Sequence, residues 1–210
     1  MLSFDDAYAR DGDCTDTSRE VPFLHELEDG AAGLMAFCST HAGCSFERGL
    51  YRIHSAVDMP IWTKLVTEAF PVFRKRVFCF SYDWLGRHFA LDLLRKERGQ
   101  YLILMMDPGT GEALEIPADF NTFHQHELVQ FRNEALAVDF FRAWLASYGP
   151  TPSSSECVGY KKPLFLGGRD DVDNLELIDM EVYWSLSSQL LQKIQGLPEG
   201  TPINDLRLED

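Results

Sequence analysis

A cysteine and histidine cluster near the N-terminus has the residue types that bind zinc. Cys38, His41 and Cys44 form a C-x-x-H-x-x-C pattern. A structural zinc site needs a fourth ligand, however, and usually presents its cysteines as C-x-x-C pairs. Buried thiols commonly pack as small apolar groups. We therefore expect this segment to pack in the fold without a metal ion.

Two histidines further along the chain suggest a metalloprotease helix. His124 and His126 stand beside Glu127 in the stretch HQHE, but Gln130 occupies the place of the second metal-binding histidine. The motif is therefore incomplete, and we interpret these residues as the polar start of a helix. The chain also lacks a G-x-S-x-G elbow, a P-loop and a G-x-G-x-x-G turn after a strand. We predict no catalytic residue, no metal ion and no cofactor.

An acidic segment near the C-terminus crowds oxygen ligands into a short stretch. It contains Asp170, Asp171, Asp173, Asn174 and Glu176. A calcium-binding hand needs a glycine at its sixth position, and none stands there when Asp170 is counted first. We interpret the segment as a solvated acidic loop that a cationic protein partner could contact.

The net charge of −14 is concentrated at the two ends of the chain. Residues 1–30 hold nine acidic residues against two basic ones, and residues 168–210 hold ten against three, whereas the middle balances 14 against 14. A chain with this charge repels polyanions within the screening length. We therefore expect no nucleic-acid partner, and the natural partner is a basic surface, unless the acidic ends only maintain solubility.

Composition indicates a globular protein of the cytoplasm. With 210 residues, 45% of them hydrophobic, the chain can build a sizeable core. No apolar run approaches the ~20 residues that span a bilayer, and the first residues lack a signal-peptide pattern. The five cysteines are an odd number without a recognisable framework. We expect no membrane association and no disulfide.

The periodicity of apolar residues predicts an α+β fold with a mostly antiparallel central sheet packed with a few helices. Residues 1–20 have few apolar anchors and are expected to be a flexible lead-in, with the fold starting near Val21. A short helix from Ile61 ends at Pro71. Alternating or apolar runs predict a meander of strands; these are residues 77–82, 88–94, 101–106 and 113–116.

The second half of the chain is predicted to be mostly helical. A long helix is expected from about His126 to Ser147, with an apolar stripe that covers the sheet. A Pro/Ser linker at 151–157 leads to an extended segment at 160–166. The last helix is expected from about Met180 to Gln195, with Asp179 as N-cap and Gly196 at its end.

Three stretches of sequence resemble a known family. They are FSYDWLGRHFALD (80–92), DPGTGEALEIP (107–117) and GYKKPLFLGGRDDVDNLELIDMEVYWSLSSQLLQKIQGLPEGTPI (159–203). They resemble the C-terminal domain of type VI secretion immunity proteins, which follows a GAD-like region and is grouped loosely with SUKH-type (Smi/Knr-like) immunity proteins. The resemblance covers residues 45–205, and residues 1–44 match nothing in it.

The resemblance implies a SUKH-like protein that binds and neutralises a toxin, a DNase in the nearest relatives, without catalysis of its own. The partner is then a cognate cationic toxin, which agrees with the charge of the chain. The candidate interface residues are the acids of the C-terminal segment, namely Asp170, Asp171, Asp173, Glu176 and Asp179, the last unless it caps the helix. The motif residues Trp84, Gly86, Gly167 and Gly168 are assigned to the fold.

The same sequence leaves two other classes of protein open. We divide the chain into the lead-in 1–20, a GAD-like region 21–150 and an immunity-protein C-terminal region 151–210 packed against it. A SUKH-like fold could instead be a scaffold or regulatory binding module. A hydrolase with an unrecognised site is the other alternative, and a pocket that gathers His88, His124 or His126 with carboxylates would favour it.

Overall fold

A computed structural model describes residues 2–12, 14 and 22–195 of the chain. Its strands are β1 (Ser45–Phe46), β2 (Tyr51–Ile53), β3 (Val77–Asp83), β4 (His88–Glu97), β5 (Gln100–Asp107), β6 (Glu112–Asp119), β7 (Glu156–Tyr160) and β8 (Leu175–Asp179). Its α-helices are α1 (Phe4–Ala7), α2 (Pro22–Glu28), α3 (Leu34–His41), α4 (Asp58–Ala69), α5 (Phe120–Thr122), α6 (Leu128–Gln130), α7 (Arg132–Leu136), α8 (Val138–Tyr148) and α9 (Met180–Ile194). The α+β class predicted from the sequence is confirmed.

The central sheet is an antiparallel meander of six strands in the order β1-β2-β3-β4-β5-β6. The four strands predicted between residues 77 and 116 are confirmed as β3 to β6, and β1 and β2 extend the sheet at the β3 edge. The turn between β4 and β5 has positive φ at Arg98 and Gly99, 49° and 84°. Two successive positive φ values match the right-handed twist of a hairpin, which explains the tight KERG connection.

Helices cover both faces of this sheet. Side chains alternate along a strand, so Phe80 on β3 and Phe89 on β4 lie in the larger core cluster, whereas Cys79 and Ala90 lie in the smaller one. The larger cluster includes residues of α1 and α3 and of the helical segment after β6. The smaller cluster is closed by α4 and α9, through residues such as Trp184. The burial of both faces explains the nearly continuous apolar sequence of β3.

The turn between β3 and β4 joins the sheet to the helices around a buried ion pair. The Asp83 carboxylate is fully buried and accepts hydrogen bonds from the Arg87 Nε at 2.7 Å and from two backbone amides. Burial raises the pKa of Asp83, and the Arg87 charge opposes that rise. Trp84 is fully buried and donates its indole N–H to the Leu136 carbonyl. Gly86 has a φ of +75°, and a Cβ there would lie 2.9 Å from the Cys157 sulfur. The assignment of Trp84 and Gly86 to the fold is confirmed.

The predicted long helix at 126–147 is interrupted, so this prediction is only partly right. A π-helical turn, Phe123–Glu127, lies between α5 and α6. Ala137 has a φ of 50° and separates α7 from α8. A left-handed alanine ends an α-helix, because its Cβ crowds the backbone in that conformation. Part of the apolar stripe packs in the core, since Leu128 and Phe141 lie in the larger core cluster, whereas Phe131 is 47% exposed.

The N-terminal segment is part of the fold, which corrects the prediction of a flexible lead-in for residues 2–12. Phe4 is fully buried, and Tyr8 donates its hydroxyl hydrogen to the Leu128 carbonyl at 2.6 Å. Asp11 accepts hydrogen bonds from the backbone amides of Arg48 and Gly49 at 2.6 and 2.8 Å. Two aromatic anchors and one carboxylate therefore help to dock this polar segment on the rest of the fold. Residues 13 and 15–21 lie outside the described residues.

A disulfide joins Cys14 to Cys44, and the expectation of no disulfide is wrong. The other three cysteines, Cys38, Cys79 and Cys157, are buried and form no disulfide. The bond ties the N-terminal segment to the residue before β1. This pairing could not be predicted from the sequence, because the two cysteines lie 30 residues apart without a recognisable framework.

The C-terminal part adds the hairpin β7–β8 and the helix α9. The strands pair antiparallel, with Cys157 opposite Ile178 and Tyr160 opposite Leu175. The predicted linker at 151–157 is therefore partly strand, and the segment at 160–166 ends in a 3₁₀ turn, Leu164–Leu166. Helix α9 is confirmed with its predicted N-cap, whereas Gly196 lies outside the described residues.

Candidate functional site

The five candidate acids lie in three structural settings around the hairpin. Asp170, Asp171 and Asp173 belong to the connection between β7 and β8, Glu176 lies on β8, and Asp179 ends β8. The connection is ordered by a 3₁₀ turn at Val172–Asn174 rather than being an open acidic loop. The strand β8 was not predicted, because this stretch is rich in acidic residues and was interpreted as a solvated loop.

Asp170 and Asp171 fix the backbone and its neighbours. Asp170 accepts a hydrogen bond from the Tyr160 hydroxyl at 2.6 Å, and burial together with this carboxylate raises the pKa of Tyr160. Asp171 caps the 3₁₀ turn by accepting from the Asn174 amide at 3.1 Å, and it pairs with Arg169 at 2.6 Å. These two carboxylates therefore have partners in the chain itself.

Asn174 closes the connection. Its side-chain amide donates to the carbonyls of Lys162 and Arg169 at 2.9 and 2.8 Å, and its side-chain oxygen accepts from the Lys162 amide at 3.1 Å. Lys161 donates its Nζ to the Asp173 carbonyl at 2.8 Å. A Cβ on Gly168 would lie 1.9 Å from the Lys162 oxygen, so only glycine fits this close approach. The predicted structural role of Gly168 is confirmed.

The acids at the end of the hairpin point in different directions. Glu176 is exposed on the face of β8 that carries Ile178. Asp179 stands an odd number of residues away, and side chains alternate, so it points to the opposite face. Its Oδ1 accepts from the Val182 amide at 3.0 Å as the N-cap of α9. Glu181, exposed in the first turn of α9, adds an acid that the sequence argument did not name.

The cysteine and histidine cluster is not arranged as a metal site. Cys44 is in the disulfide, and His41 lies between Arg10 and Asp5, with its Nδ1 3.1 Å from the Arg10 Nη2 and its Nε2 3.2 Å from the Asp5 Oδ1. Burial is the largest cause that lowers the pKa of His41. The Asp5 charge opposes this shift, and the Arg10 charge adds to it. Among the described residues, no group of three or more His, Cys, Asp or Glu side chains could hold a metal ion.

The three histidines that would favour a hydrolase each have their own hydrogen-bond partners. Burial lowers the pKa of His88 and of His124 to about 3, so both are neutral at pH 7. His124 donates from Nδ1 to the Phe120 carbonyl at 2.9 Å, and its Nε2 lies 2.9 Å from the Tyr51 hydroxyl. His126 pairs with Glu127 at 3.1 Å. The first two are core residues in polar contact with the backbone and hydroxyl groups.

The fold and the hairpin define an α+β protein with an acidic, well-ordered C-terminal surface. A solved structure described as "Crystal structure of Atu4351 from Agrobacterium tumefaciens" has a similar fold, with a TM-score of 0.54 and 15% sequence identity over 85% of each chain. At this identity the similarity shows the fold alone. No curated protein matches the chain. In the described part of the chain, no helix is both long and apolar enough to cross a bilayer.

A second comparison concerns the C-terminal part of the chain. The family model described as "T6SS immunity protein Tdi1, C-terminal" matches residues 118–191. This segment contains the helices after β6, the whole acidic hairpin and most of α9. Residues 118–191 are therefore similar to a type VI secretion immunity protein family, and the resemblance seen in the sequence is confirmed over this segment. The match begins before residue 150, where we had divided the chain, so that division stays a prediction.

Proposed function

We propose that the protein is an immunity protein that binds a cognate toxin of a type VI secretion or contact-dependent system and neutralises it without catalysis. The observation that carries this proposal is the family match, because it covers the ordered acidic hairpin. Residues 169–181 contain six acidic residues and one basic residue, Arg169. A nuclease toxin presents a basic groove for DNA, and an acidic surface can occupy that groove in place of phosphates.

The arrangement of the hairpin supports binding in two ways. The carboxylates of Asp170 and Asp171 hold the connection in one conformation, which lowers the entropy lost on association. Glu176 and Glu181 are exposed and available to accept from lysine and arginine side chains. Charges at the rim of an interface act mainly on the association rate and on specificity. We propose Asp170, Asp171, Asp173, Glu176 and Asp179 as interface residues, and we add Glu181.

The test is binding to the toxin encoded beside this gene. The pair is co-purified at about 0.05 M and about 0.5 M salt, and survival is measured in cells that make both proteins. We expect rescue of the cells and a complex that weakens at high salt. The variant E176K should weaken binding about tenfold. The matched control E97K reverses an exposed charge at the far end of β4 and should leave binding unchanged.

Two results would contradict the proposal. A toxin that is neither bound nor neutralised would refute the immunity function itself. Tight binding that is weakened neither by high salt nor by E176K would support the immunity function and refute the acidic interface.

The compartment is a separate question, because disulfides persist in oxidising environments and are rare in the cytosol. The Cys14–Cys44 bond is therefore at odds with the cytoplasmic location that the sequence suggested. Alkylation of the protein in intact native cells, followed by mass spectrometry, measures the redox state of this pair. Two alkylated thiols would support the cytoplasm, and an intact disulfide would support an oxidising compartment.

A further inference from the structure

A cavity of about 310 Å³ lies between β2, the start of α4 and the chain before β7, next to the end of the hairpin at Asp179. Its lining includes Arg52, His54, Asp58, Trp62 and Tyr82. A volume of roughly 300 Å³ is at the lower end of the range for pockets that bind small groups. Neither the family resemblance nor the hairpin argument assigns a role to it.

Aromatic rings form one wall of the cavity. The His54 ring stacks on Trp62 with the centroids 5.5 Å apart and the planes at 16°, and on Tyr82 at 4.5 Å and 25°. His54 is buried, and burial together with His88 and Arg52 holds its pKa well below the usual value, so the ring is neutral at pH 7. Its Nε2 has no hydrogen-bond partner within the described part of the chain. His54 and Tyr82 are buried in this stack, and the Arg52 guanidinium lies over the Tyr82 ring at 5.3 Å, so the half-buried Trp62 is the ring of this wall with exposed surface for a ligand.

The charged residues Arg52 and Asp58 are among those that line the cavity. The Arg52 guanidinium is 2% exposed and donates to the carbonyls of Pro152, Ser153 and Glu156 at 2.7–3.1 Å. A Cβ on Gly49 would lie 2.7 Å from its Nη2, so this edge of Arg52 is covered by backbone. Asp58 is half-buried and accepts from the Ser55 hydroxyl at 2.5 Å. Because a carboxylate can accept several hydrogen bonds, Asp58 keeps acceptor capacity for a cation.

Apolar side chains lie next to these lining residues in the chain. Val57 precedes Asp58 and is 64% exposed, and Ile61 precedes Trp62 and is 61% exposed. The two are four residues apart at the start of α4, so they are neighbours on its surface. Exposed apolar side chains beside a cavity suit a protein interface, because the buried core of an interface is more apolar than its rim. Lys64, one turn further along, does not line the cavity.

We infer that this cavity takes an arginine side chain of the cationic toxin, an inference that rests on the proposed function. The guanidinium stacks on Trp62 and pairs with Asp58, while the aliphatic part packs against Val57 and Ile61. Arginine fits better than lysine because its planar group both stacks on an aromatic ring and pairs with a carboxylate. An anion is disfavoured, because both Arg52 Nη atoms donate to carbonyls, only its buried Nε lacks a partner among the described residues, and the chain carries a net charge of −14.

The first test uses a small probe and does not require the toxin. N-acetyl-arginine amide is titrated into the whole protein, and the Trp62 indole signal is followed by NMR. We expect a saturable shift with a dissociation constant of about 1 mM, and a weaker one for the uncharged isostere N-acetyl-citrulline amide. The variant D58N should weaken binding about tenfold, while E68Q, an exposed acid on the same helix, should not. Equal shifts for both probes, or equal binding by D58N and the wild type, overturn the inference.

The second test separates this inference from the proposed function. Toxin binding is compared for the wild type, D58N and E68Q at equal folding stability, as judged by urea denaturation. A toxin that binds the wild type at least about tenfold more tightly than D58N supports the inference. A toxin that binds all three variants equally refutes the inference and leaves the proposed function intact. If the wild type binds the arginine probe but not the toxin, the proposed function is contradicted. The ligand of the cavity is then not an arginine of the toxin.

Discussion

The strongest prediction concerns Phe4, which is fully buried although it lies in a polar, acidic stretch. Its ring contacts six other aromatic rings with centroid distances of 4.6–6.0 Å. Replacement of a buried phenylalanine by alanine costs about 3–5 kcal/mol, and aromatic pairs add to the cost. We expect F4A to lower the free energy of unfolding by about 4 kcal/mol, which is about 10 °C in Tm for a chain of this size.

The assay is urea denaturation of F4A and of the control L2A, followed by tryptophan fluorescence. Leu2 is 60% exposed, so L2A should change the free energy of unfolding by less than about 0.5 kcal/mol. A loss below about 1 kcal/mol for F4A would show that the N-terminal segment does not unfold together with the sheet. That result would refute our reasoning and restore the flexible lead-in that the sequence suggested.

Three further predictions follow from buried polar groups and from the disulfide. The variant R87M leaves the fully buried Asp83 without its cation, so urea denaturation should show a loss of about 3–5 kcal/mol. His124 has a pKa of about 3 in the folded state, below its unfolded value, so protonation of the unfolded chain lowers stability as the pH falls from about 6.5 towards 3. Between about pH 7 and pH 5 this histidine alone should lower the free energy of unfolding by about 2 kcal/mol. The variant H124Q should remove this loss from the pH dependence of stability. The control H25Q, which replaces an exposed histidine, should not remove it. The variant C14S should lower stability by about 2–4 kcal/mol and should be unaffected by dithiothreitol, whereas wild type that is equally stable with and without dithiothreitol would contradict this.

Most of the sheet and the last helix could be predicted from the sequence, because their signals are local. The strands β3 to β6 alternate or are continuously apolar, and turns rich in glycine separate them. Asp179 caps α9 as expected, since its side chain bonds an amide three residues away. These features depend on contacts within a few residues, which one sequence displays directly.

The features that sequence reasoning missed depend on distant contacts. Tyr8 bonds a carbonyl 120 residues away, so nothing near Tyr8 reveals that it is an anchor. The strand β8 forms because it pairs with β7. Its apolar residues alternate with acids over only five positions, which is a weak local signal. Apolar residues recur at helical spacing on both sides of the break at Ala137, so periodicity could not distinguish one continuous helix from several short ones.

The same distinction explains what could be said about the acidic residues. The sequence and the family resemblance indicated this segment as an interface, which stays a prediction, and among its carboxylates they set apart only Asp179, as a possible helix cap. Asp170, Asp171 and Asp179 accept hydrogen bonds from the chain, whereas Glu176 is exposed on a strand face. Internal hydrogen bonds lower the cost of ordering a surface, and exposed charges steer a partner towards it. We therefore expect substitutions of the first group to act through the conformation of the hairpin, and charge reversal at Glu176 to act through the rate of association.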